Sequence, residues 1–223
     1  MIMDISEMSD ALDSSTSRVI GHEVKHSTRW LEFRHLRYLD PTGKERGWDM
    51  VGRTTGTCAA SVSATRMPDA VCVFTTLRQV GREDSTLLVR QFRPPLQAET
   101  IELPAGLVDI DDESPVTTAL RELHEETGYV GTASGTVTAT PTLPLSPGLT
   151  DETVTLVRVD VDLDAPENQQ PRQRLEGSEF ITVLRVPVRG LRGTLDTLVA
   201  RGYHIFAGLY TMALGMEMAE AAQ

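Results

Sequence analysis

Alternating apolar and polar residues predict β-structure along much of the chain. On either side of the turn sequence Asp40-Pro41-Thr42-Gly43, aromatic and aliphatic residues alternate with charged ones from Trp30 to Val51, which is typical of a β-hairpin or meander. Further runs rich in aliphatic residues predict additional strands. These runs lie at residues 70–74, 87–92, 99–103, 153–161 and 180–186.

A helical spacing of apolar residues is present in three later segments, 114–127, 193–201 and 205–219. In the first segment, four apolar residues at positions i, i+3, i+4 and i+7 share one stripe of a helix: Val116, Ala119, Leu120 and Leu123. Ser114 is a favourable N-cap, and Gly128 is a favourable C-terminal cap. Strands mixed with helices predict an α/β protein of packed layers.

Composition divides the chain into three regions. Residues 1–21 are acidic and rich in Ser and Thr without apolar periodicity, which predicts a disordered tail. Residues 22–60 hold the expected N-terminal β region, and residues 61–223 hold the remaining strands and the three helices. A main domain with a small appended region fits the length of 223 residues, because domains commonly contain roughly 100–200 residues.

The charge balance restricts the expected partners. With 21 Lys and Arg against 32 Asp and Glu, the formal net charge is −11, which argues against nucleic acids and anionic membranes, since both select a basic surface. Phosphate ligands stay open because a bound cation can reverse the local sign. The acidic start is unlike a secretory signal, and Cys58 and Cys72 lack metal-ligand spacing. These features predict a protein of the cytoplasm, with the nucleus as the alternative.

Three glutamates lie opposite the apolar stripe of the segment 114–127: Glu122, Glu125 and Glu126. Like charges at these spacings cost about 0.2–0.5 kcal/mol per pair, and the negative end of the helix dipole disfavours them further. Arg121 or a divalent cation would offset this cost, since Mg²⁺ prefers carboxylate and phosphate oxygens. The cluster alone favours a second interpretation, a solvated acidic helix face.

The residues around this cluster extend the pattern. From Gly106 to Tyr129 the sequence reads GLVDIDDESPVTTALRELHEETGY, which resembles the Nudix box, G-x5-E-x7-R-E-U-x-E-E-x-G-U with U a bulky apolar residue. The match is complete from Glu113 onward, but six residues instead of five separate Gly106 from Glu113. Either the loop has one extra residue or Asp112 takes the glutamate position. The first interpretation is preferred because Glu113 would then also serve the helix N-terminus.

The Nudix resemblance implies an α/β/α sandwich with a mixed β-sheet, here with a small N-terminal antiparallel β region, and it makes 61–223 the catalytic domain. It implies Mg²⁺ as cofactor, with Mn²⁺ as a substitute. Arg121 is implied to orient the glutamates, and Glu179 to act as general base, with Glu176 as the nearby alternative. The implied metal ligands are the carbonyl oxygen of Ala105 and the carboxylates of Glu122, Glu125 and Glu126.

Segments outside the box are similar to the eukaryotic ADP-sugar pyrophosphatases, and the resemblance covers roughly residues 22–218 except for the linker 56–68. It extends to Gln91-Phe92-Arg93-Pro94-Pro95 and to Ser146-Pro147-Gly148-Leu149-Thr150-Asp151-Glu152. It implies hydrolysis of ADP-ribose to AMP and ribose 5-phosphate by a metal-activated water. Two alternatives stay open. One is a hydrolase for oxidised nucleotides or dinucleoside polyphosphates, and the other is a non-catalytic module that binds ADP-ribose.

The same resemblance implies a set of substrate-binding residues. In the similar enzymes two tryptophans stack on the adenine across a homodimer, which implies this role for Trp30 and Trp48, with ordinary packing as the alternative. Guanidinium groups grip phosphate oxygens, so Arg53 and Arg93 are the candidates for the diphosphate or the terminal ribose. The complete expected set is Trp30, Trp48, Arg53, Arg93, Glu102, Ala105 and Gly148.

Overall fold

The computed structural model describes residues 17–54, 67–109, 111–134 and 139–222. The chain forms two compact units, which we call the N-terminal unit and the main unit. The N-terminal unit comprises 1–63 and 144–152, and the main unit comprises 64–143 and 153–223. The segment 144–152 thus groups with the N-terminal strands, whereas the sequence-based division assigns it to the catalytic domain.

The N-terminal unit is a three-stranded antiparallel sheet, as its alternating pattern predicts. Its strands follow the chain order and are β1 (Arg18–Ser27), β2 (Leu31–Leu39) and β3 (Glu45–Arg53). At the β2–β3 turn, the carboxylate of Asp40 accepts backbone hydrogen bonds from Thr42 and Lys44, at 2.9 and 3.0 Å. Gly43 adopts a φ of +80° there, which favours glycine.

Strand β1 begins inside the expected tail. Arg18 pairs with Leu39, and Val19 pairs with Tyr38. The prediction of disorder is therefore corrected for residues 18–21, because their backbone is ordered by pairing with β2. Residues 1–16 of the tail and 55–60 of the β region lie outside the described residues.

The main unit contains a mixed sheet and three α-helices. The elements that follow β3 are β4 (Ala70–Arg78), β5 (Ser85–Arg93), β6 (Ala98–Glu102), β7 (Ala105–Leu107), α1 (Pro115–Thr127), β8 (Thr132–Ala133), β9 (Leu143–Pro144), β10 (Thr153–Asp162), β11 (Thr182–Pro187), α2 (Leu191–Ala200), β12 (His204–Ile205) and α3 (Ala207–Ala221). The sheet runs in the order β12-β6-β5-β4-β10-β8, with β7 beside β4 and β11 beside β5. Its β4–β10 pair is parallel, whereas β5–β6 is antiparallel.

Two hydrophobic clusters lie on the two faces of this sheet. In the first, Leu123 of α1 packs with Val71 and Val73 of β4. In the second, Leu195 of α2 and Leu209 of α3 pack with Ile101 of β6. Helices thus cover both faces, which confirms the predicted α/β/α layering. Among the described residues no helix is both long and apolar enough to cross a membrane.

Helix α1 has the predicted ends. The side chain of Ser114 accepts a hydrogen bond of 3.2 Å from the N–H of Thr117. At the other end, Gly128 has a φ of +77° and donates its N–H to the carbonyl of His124 at 2.8 Å. A Cβ at Gly128 would collide with the backbone of Arg172, so both its conformation and the available space require glycine.

Candidate active site

A glycine allows β7 to approach α1 closely. A Cβ atom built at Gly106 would collide with the carboxylate of Glu122. On its other side, β7 is fixed by antiparallel pairing with β4, where Gly106 lies opposite Val71. Only glycine therefore leaves space for the carboxylate of Glu122 beside the strand.

Glu126 is a deeply buried carboxylate of α1, with 4% of its surface exposed. Its Oε2 accepts a hydrogen bond of 3.0 Å from the backbone N–H of Ala105. Burial raises the pKa of Glu126 to about 8, the Ala105 N–H offsets part of the shift, and the charges of Glu122 and Glu179 add to it. A positive charge placed close to Glu126 would therefore stabilise its ionised form.

Glu122 and Glu125 share Arg121 as a cationic partner. Nη1 of Arg121 lies 2.9 Å from Oε1 of Glu122 and 3.0 Å from Oε2 of Glu125. Burial nevertheless raises the pKa of Glu122 to about 7, although Arg121 lowers it. The arginine thus compensates only part of the cost of placing Glu122 in this site.

Arg121 also binds the loop that follows β7. Its Nη2 lies 3.1 Å from Oδ2 of Asp112 and 3.3 Å from Oδ2 of Asp109, and it donates to the carbonyl of Leu107 at 3.3 Å. Partial burial alone would lower the pKa of Arg121, but the carboxylates of Asp112, Glu122 and Glu125 raise it above its ordinary value. The guanidinium therefore joins the loop to the glutamate face of α1.

Glu179 lies within electrostatic range of the buried glutamates. Its charge contributes to the raised pKa of both Glu122 and Glu126. A small turn holds the two residues together: the N–H of Glu176 donates to Oε2 of Glu179 at 2.9 Å, and the N–H of Glu179 donates to the carbonyl of Glu176 at 3.0 Å. Both candidate bases therefore lie in one turn, and the charge of Glu179 acts on Glu122 and Glu126.

The chain that leads to Glu179 is attached to the end of α1. Nε2 of Gln173 donates to the carbonyl of Glu126 at 2.7 Å and to that of Ile181 at 3.0 Å. The N–H of Arg174 donates to the carbonyl of Glu125 at 2.7 Å. These bonds use carbonyls that the last turn of a helix leaves without an intrahelical partner, and they fix the segment against the glutamates.

Arg93 and Glu102 form a two-contact ion pair. Nε and Nη2 of Arg93 lie 2.8 and 2.6 Å from the two oxygens of Glu102. Burial alone would raise the pKa of Glu102, but hydrogen bonds from Arg93 and from the hydroxyl of Thr100 lower it. The pair borders a cavity of about 280 Å³ that is lined by Arg93, Pro95, Leu96, Thr100, Glu102, His204, Ile205 and Phe206.

The other expected substrate-binding residues belong to the N-terminal unit. Trp30 and Trp48 are 55% and 48% exposed. Nε1 of Trp48 donates to the carbonyl of Gly148 at 3.3 Å, and Nε of Arg53 donates to Glu152 at 2.6 Å. The structure thus brings Trp48 together with Gly148, and it gives Arg53 a carboxylate partner.

The NUDIX domain family matches the chain over residues 66–207, which include β7, α1 and the segment that carries Glu179. This match spans more than half of the 223 residues. The chain belongs to the Nudix family. Its Nudix box coincides with the loop after β7 and the helix α1, where the structure gathers the buried carboxylates.

Two relatives resemble this Nudix chain over most of its length. It is 38% identical to the ADP-ribose pyrophosphatase of Saccharomyces cerevisiae over 193 residues, which cover 86% of this chain and 79% of the relative. It is 33% identical to the ADP-sugar pyrophosphatase of Mus musculus over 217 residues, covering 96% and 94%. A crystal structure of an ADP compounds hydrolase shares the fold, with a TM-score of 0.55, 18% identity and coverage of 81% and 83%.

The loop of the Nudix box corrects one expectation. The carboxylate of Asp112, not that of Glu113, faces α1: its Oδ2 accepts from Thr118 Oγ1 at 2.8 Å as well as from Arg121. Glu113 is exposed, and Ser114 caps the helix. The reason is a turn in which the N–H of Asp112 donates to the carbonyl of Asp109 at 3.1 Å, which folds Asp112 back under the helix.

The Nudix carboxylates suit a divalent cation but are not assembled around one. Within the described ranges, no three side chains of His, Cys, Asp or Glu are arranged as a metal site, and Arg121 holds Glu122 and Glu125. However, burial raises the pKa of Glu122 and Glu126, so both would be stabilised by a cation. Their oxygens are the hard donors that Mg²⁺ and Mn²⁺ prefer, and the donor set therefore fits such an ion.

Sequence reasoning assigns no role to three contributors to these contacts: Asp112, Gln173 and Glu152. For Asp112 a signal exists, because it lies six residues after Gly106, where the box has its glutamate. Gln173 carries no sequence signal, and Glu152 is only one residue of the segment 146–152 that resembles the ADP-sugar pyrophosphatases. Their partners lie 47 and 99 residues away, and only the fold brings them together.

Proposed function

We propose that this Nudix chain hydrolyses the diphosphate bond of ADP-ribose and related ADP-sugars to AMP and a sugar phosphate. The observation that carries the proposal is the buried carboxylate of Glu126 with the partly buried carboxylate of Glu122, placed beside β7 within a Nudix box. The substrate class is supported by relatives named ADP-ribose pyrophosphatase and ADP-sugar pyrophosphatase at 38% and 33% identity.

The proposed ligands for Mg²⁺, or Mn²⁺ as a substitute, are Ala105, Glu122, Glu125 and Glu126. When bound, such an ion supplies charge neutralisation for a diphosphate and a lower pKa for a coordinated water. Arg121 keeps Glu122 and Glu125 on one side of α1, and we assign it an orienting role. Gly106 keeps the strand side of this site open, since any larger residue would displace the carboxylate of Glu122.

Glu179 is the proposed general base. A base must reach the attacking water, and the charge of Glu179 acts on both Glu122 and Glu126. The turn with Glu176 fixes the Glu179 side chain from behind, because the N–H of Glu176 holds one carboxylate oxygen. The other oxygen of Glu179 is the one that we propose accepts the proton.

The proposed substrate contacts follow the resemblance to the ADP-sugar pyrophosphatases. Trp30 and Trp48 are proposed to stack on the adenine across a homodimer, and their exposure leaves ring surface for a base, a contact worth about 1–3 kcal/mol. Arg53 and Arg93 are proposed to bind the diphosphate, and Gly148 the terminal sugar. The homodimer would also cover apolar residues that the N-terminal sheet exposes, namely Val19, Val24, Leu31 and Phe33.

The direct test is to incubate the protein with ADP-ribose and Mg²⁺ and to measure the AMP released by chromatography. ADP-mannose, an oxidised nucleoside diphosphate and a dinucleoside polyphosphate serve as competing substrates in the same assay. We expect ADP-ribose or another ADP-sugar to have the highest kcat/KM. Binding of ADP-ribose without AMP release would favour a non-catalytic module, and a higher kcat/KM for one of the competing nucleotides would refute the proposed substrate class.

A further inference from the structure

The segment 144–152 covers part of the outer edge of strand β3. Val51 of β3 forms a parallel bridge with Thr150, and the N–H of Val51 donates to the carbonyl of Leu149 at 3.0 Å. Since β3 is the last strand of its sheet, its outward N–H and C=O groups would otherwise lack strand partners. The segment therefore occupies part of this edge of the N-terminal sheet through a single bridge at Thr150.

Two consecutive carboxylates of this segment pair with arginines on opposite faces of the sheet. Asp151 lies 3.8 Å from Nη1 of the buried Arg34, and Glu152 binds Arg53. Arg34 of β2 pairs directly with Met50 of β3, so the two side chains share one face of the sheet. Successive side chains of a strand alternate between faces, and Arg53, three residues after Met50, therefore lies on the opposite face from Arg34. The carboxylates of Asp151 and Glu152 thus bind arginines on opposite faces of the sheet.

The Arg53–Glu152 pair has a defined geometry. Oε1 of Glu152 lies 2.6 Å from Nε and 2.5 Å from Nη2 of Arg53. An oxygen that bridges these two nitrogens occupies one edge of the planar guanidinium, and Nη1 then points away from it. The side chains are 34% and 22% exposed, so Arg53 remains accessible to solvent while Glu152 fixes its plane.

We propose that Glu152 is a positioning residue for substrate binding, which holds the guanidinium of Arg53 so that its Nη1 edge is presented to a phosphate oxygen. This inference rests on the proposed role of Arg53 in ADP-sugar hydrolysis. An arginine held in place by a carboxylate loses less side-chain entropy when it binds a phosphate than one that is free to rotate. Because Glu152 acts through Arg53, which is proposed to bind phosphate, we expect its loss to change substrate binding rather than the chemical step.

A second ion pair in the same sheet provides a matched control. Nη1 of Arg37 lies 3.1 Å from Oε1 of Glu45, and both side chains are more than half exposed. Glu45→Gln removes the same kind of carboxylate from the same sheet, but its arginine has no proposed role. A difference between Glu152→Gln and Glu45→Gln therefore separates positioning of Arg53 from a general loss of surface charge.

The test compares wild type, Glu152→Gln, Glu152→Asp and Glu45→Gln by steady-state hydrolysis of ADP-ribose and by titration with AMP. A lost charge-assisted hydrogen bond predicts about tenfold higher KM and AMP Kd for Glu152→Gln, with kcat within about twofold of wild type. Glu152→Asp keeps the charge but is one methylene shorter, and we expect a similar rise. Glu45→Gln should change neither constant, and thermal unfolding checks that each variant is folded.

Arg53→Ala tests whether Glu152 acts through Arg53. In that background, Glu152→Gln should add no further rise in KM or in the AMP Kd. The inference is overturned if Glu152→Gln leaves KM unchanged or lowers it, if Glu152→Asp matches wild type, or if the effects of Glu152→Gln and Arg53→Ala on KM multiply. If wild type cleaves no ADP-ribose, the proposed function fails, but the AMP titrations of the same variants still decide the role of Glu152.

Discussion

The two units keep their candidate functional side chains in opposite environments. In the main unit, Glu126 is 4% exposed and bonded to the backbone of β7, whereas in the N-terminal unit Trp30 and Trp48 are about half exposed. Burying a carboxylate is costly and fixes its position, so the main unit is suited to precise charge placement. Exposed rings on a thin sheet gain free energy only when something covers them. We therefore expect changes at the carboxylates of α1 to affect kcat and changes at the exposed rings of the N-terminal unit to affect KM.

The strongest test of this comparison is Glu126→Gln. The amide keeps the shape of the side chain but removes a charge from the proposed metal ligands, and several kcal/mol of charge stabilisation corresponds to a loss of about 10³-fold in kcat. The measurement is steady-state hydrolysis of ADP-ribose under saturating Mg²⁺.

Titration of the same variant with AMP provides the control. If the residues that bind the nucleotide are separate from Glu126, the AMP Kd of Glu126→Gln should stay within about twofold of wild type. Such a difference is smaller than the tenfold change in Kd that corresponds to about 1.4 kcal/mol. A variant with normal kcat would remove Glu126 from the chemistry. A variant that lost kcat and AMP binding together would contradict the division of roles between the units.

The next largest effect is expected for Asp112→Asn. Asp112 contacts Arg121, which in turn holds Glu122 and Glu125, and loss of such an outer partner typically costs about 10–100-fold in activity or metal affinity. The adjacent Glu113→Gln is the matched control, since Glu113 is exposed and the carboxylates that pair with Arg121 are those of Asp109, Asp112, Glu122 and Glu125. We expect a higher Mg²⁺ requirement for Asp112→Asn alone. A stronger defect in Glu113→Gln would restore the original alignment of the box.

Asp112 also shows how far the sequence leads. Local patterns predict α1 with its caps, the β2–β3 turn and the glutamate face, because each depends on residues within a few positions of one another. The choice between Asp112 and Glu113 could not be made this way, since it depends on how a six-residue loop folds back. The pairing of Arg53 with Glu152 joins residues 99 positions apart and needs the complete chain path.

In the N-terminal unit, Trp48→Ala should weaken binding rather than catalysis. Loss of one stacking contact, worth about 1–3 kcal/mol per base, predicts a KM for ADP-ribose about tenfold higher with little change in kcat. Trp48→Phe keeps an aromatic face and should show a smaller rise. An unchanged KM in Trp48→Ala would indicate that the ring packs in the protein without contacting the base, and the proposed role of the exposed sheet would fail.

The smallest expected effect is on the pH dependence of thermal stability, and it tests whether the carboxylate of Glu126 is buried in solution. Burial raises the pKa of Glu126 from its ordinary 4.5 to about 8, so the folded chain binds this proton more tightly than the unfolded chain. The resulting stabilisation is complete below pH 4.5 and is lost as the pH rises through 8. Without metal, wild type should therefore lose more Tm than Glu126→Gln between pH 4.5 and pH 8, by on the order of 5 °C.

Differential scanning fluorimetry in EDTA measures this difference. Wild type and Glu126→Gln share all their other titrating groups, so the contributions of those groups to Tm cancel when the two proteins are compared at the same pH. Adding Mg²⁺ at the alkaline end should recover more Tm in wild type than in Glu126→Gln, because a bound cation stabilises the ionised carboxylate. Equal pH dependence of the two proteins would mean that Glu126 is hydrated in solution. The contrast between a buried charge in one unit and exposed rings in the other would then lose its physical basis.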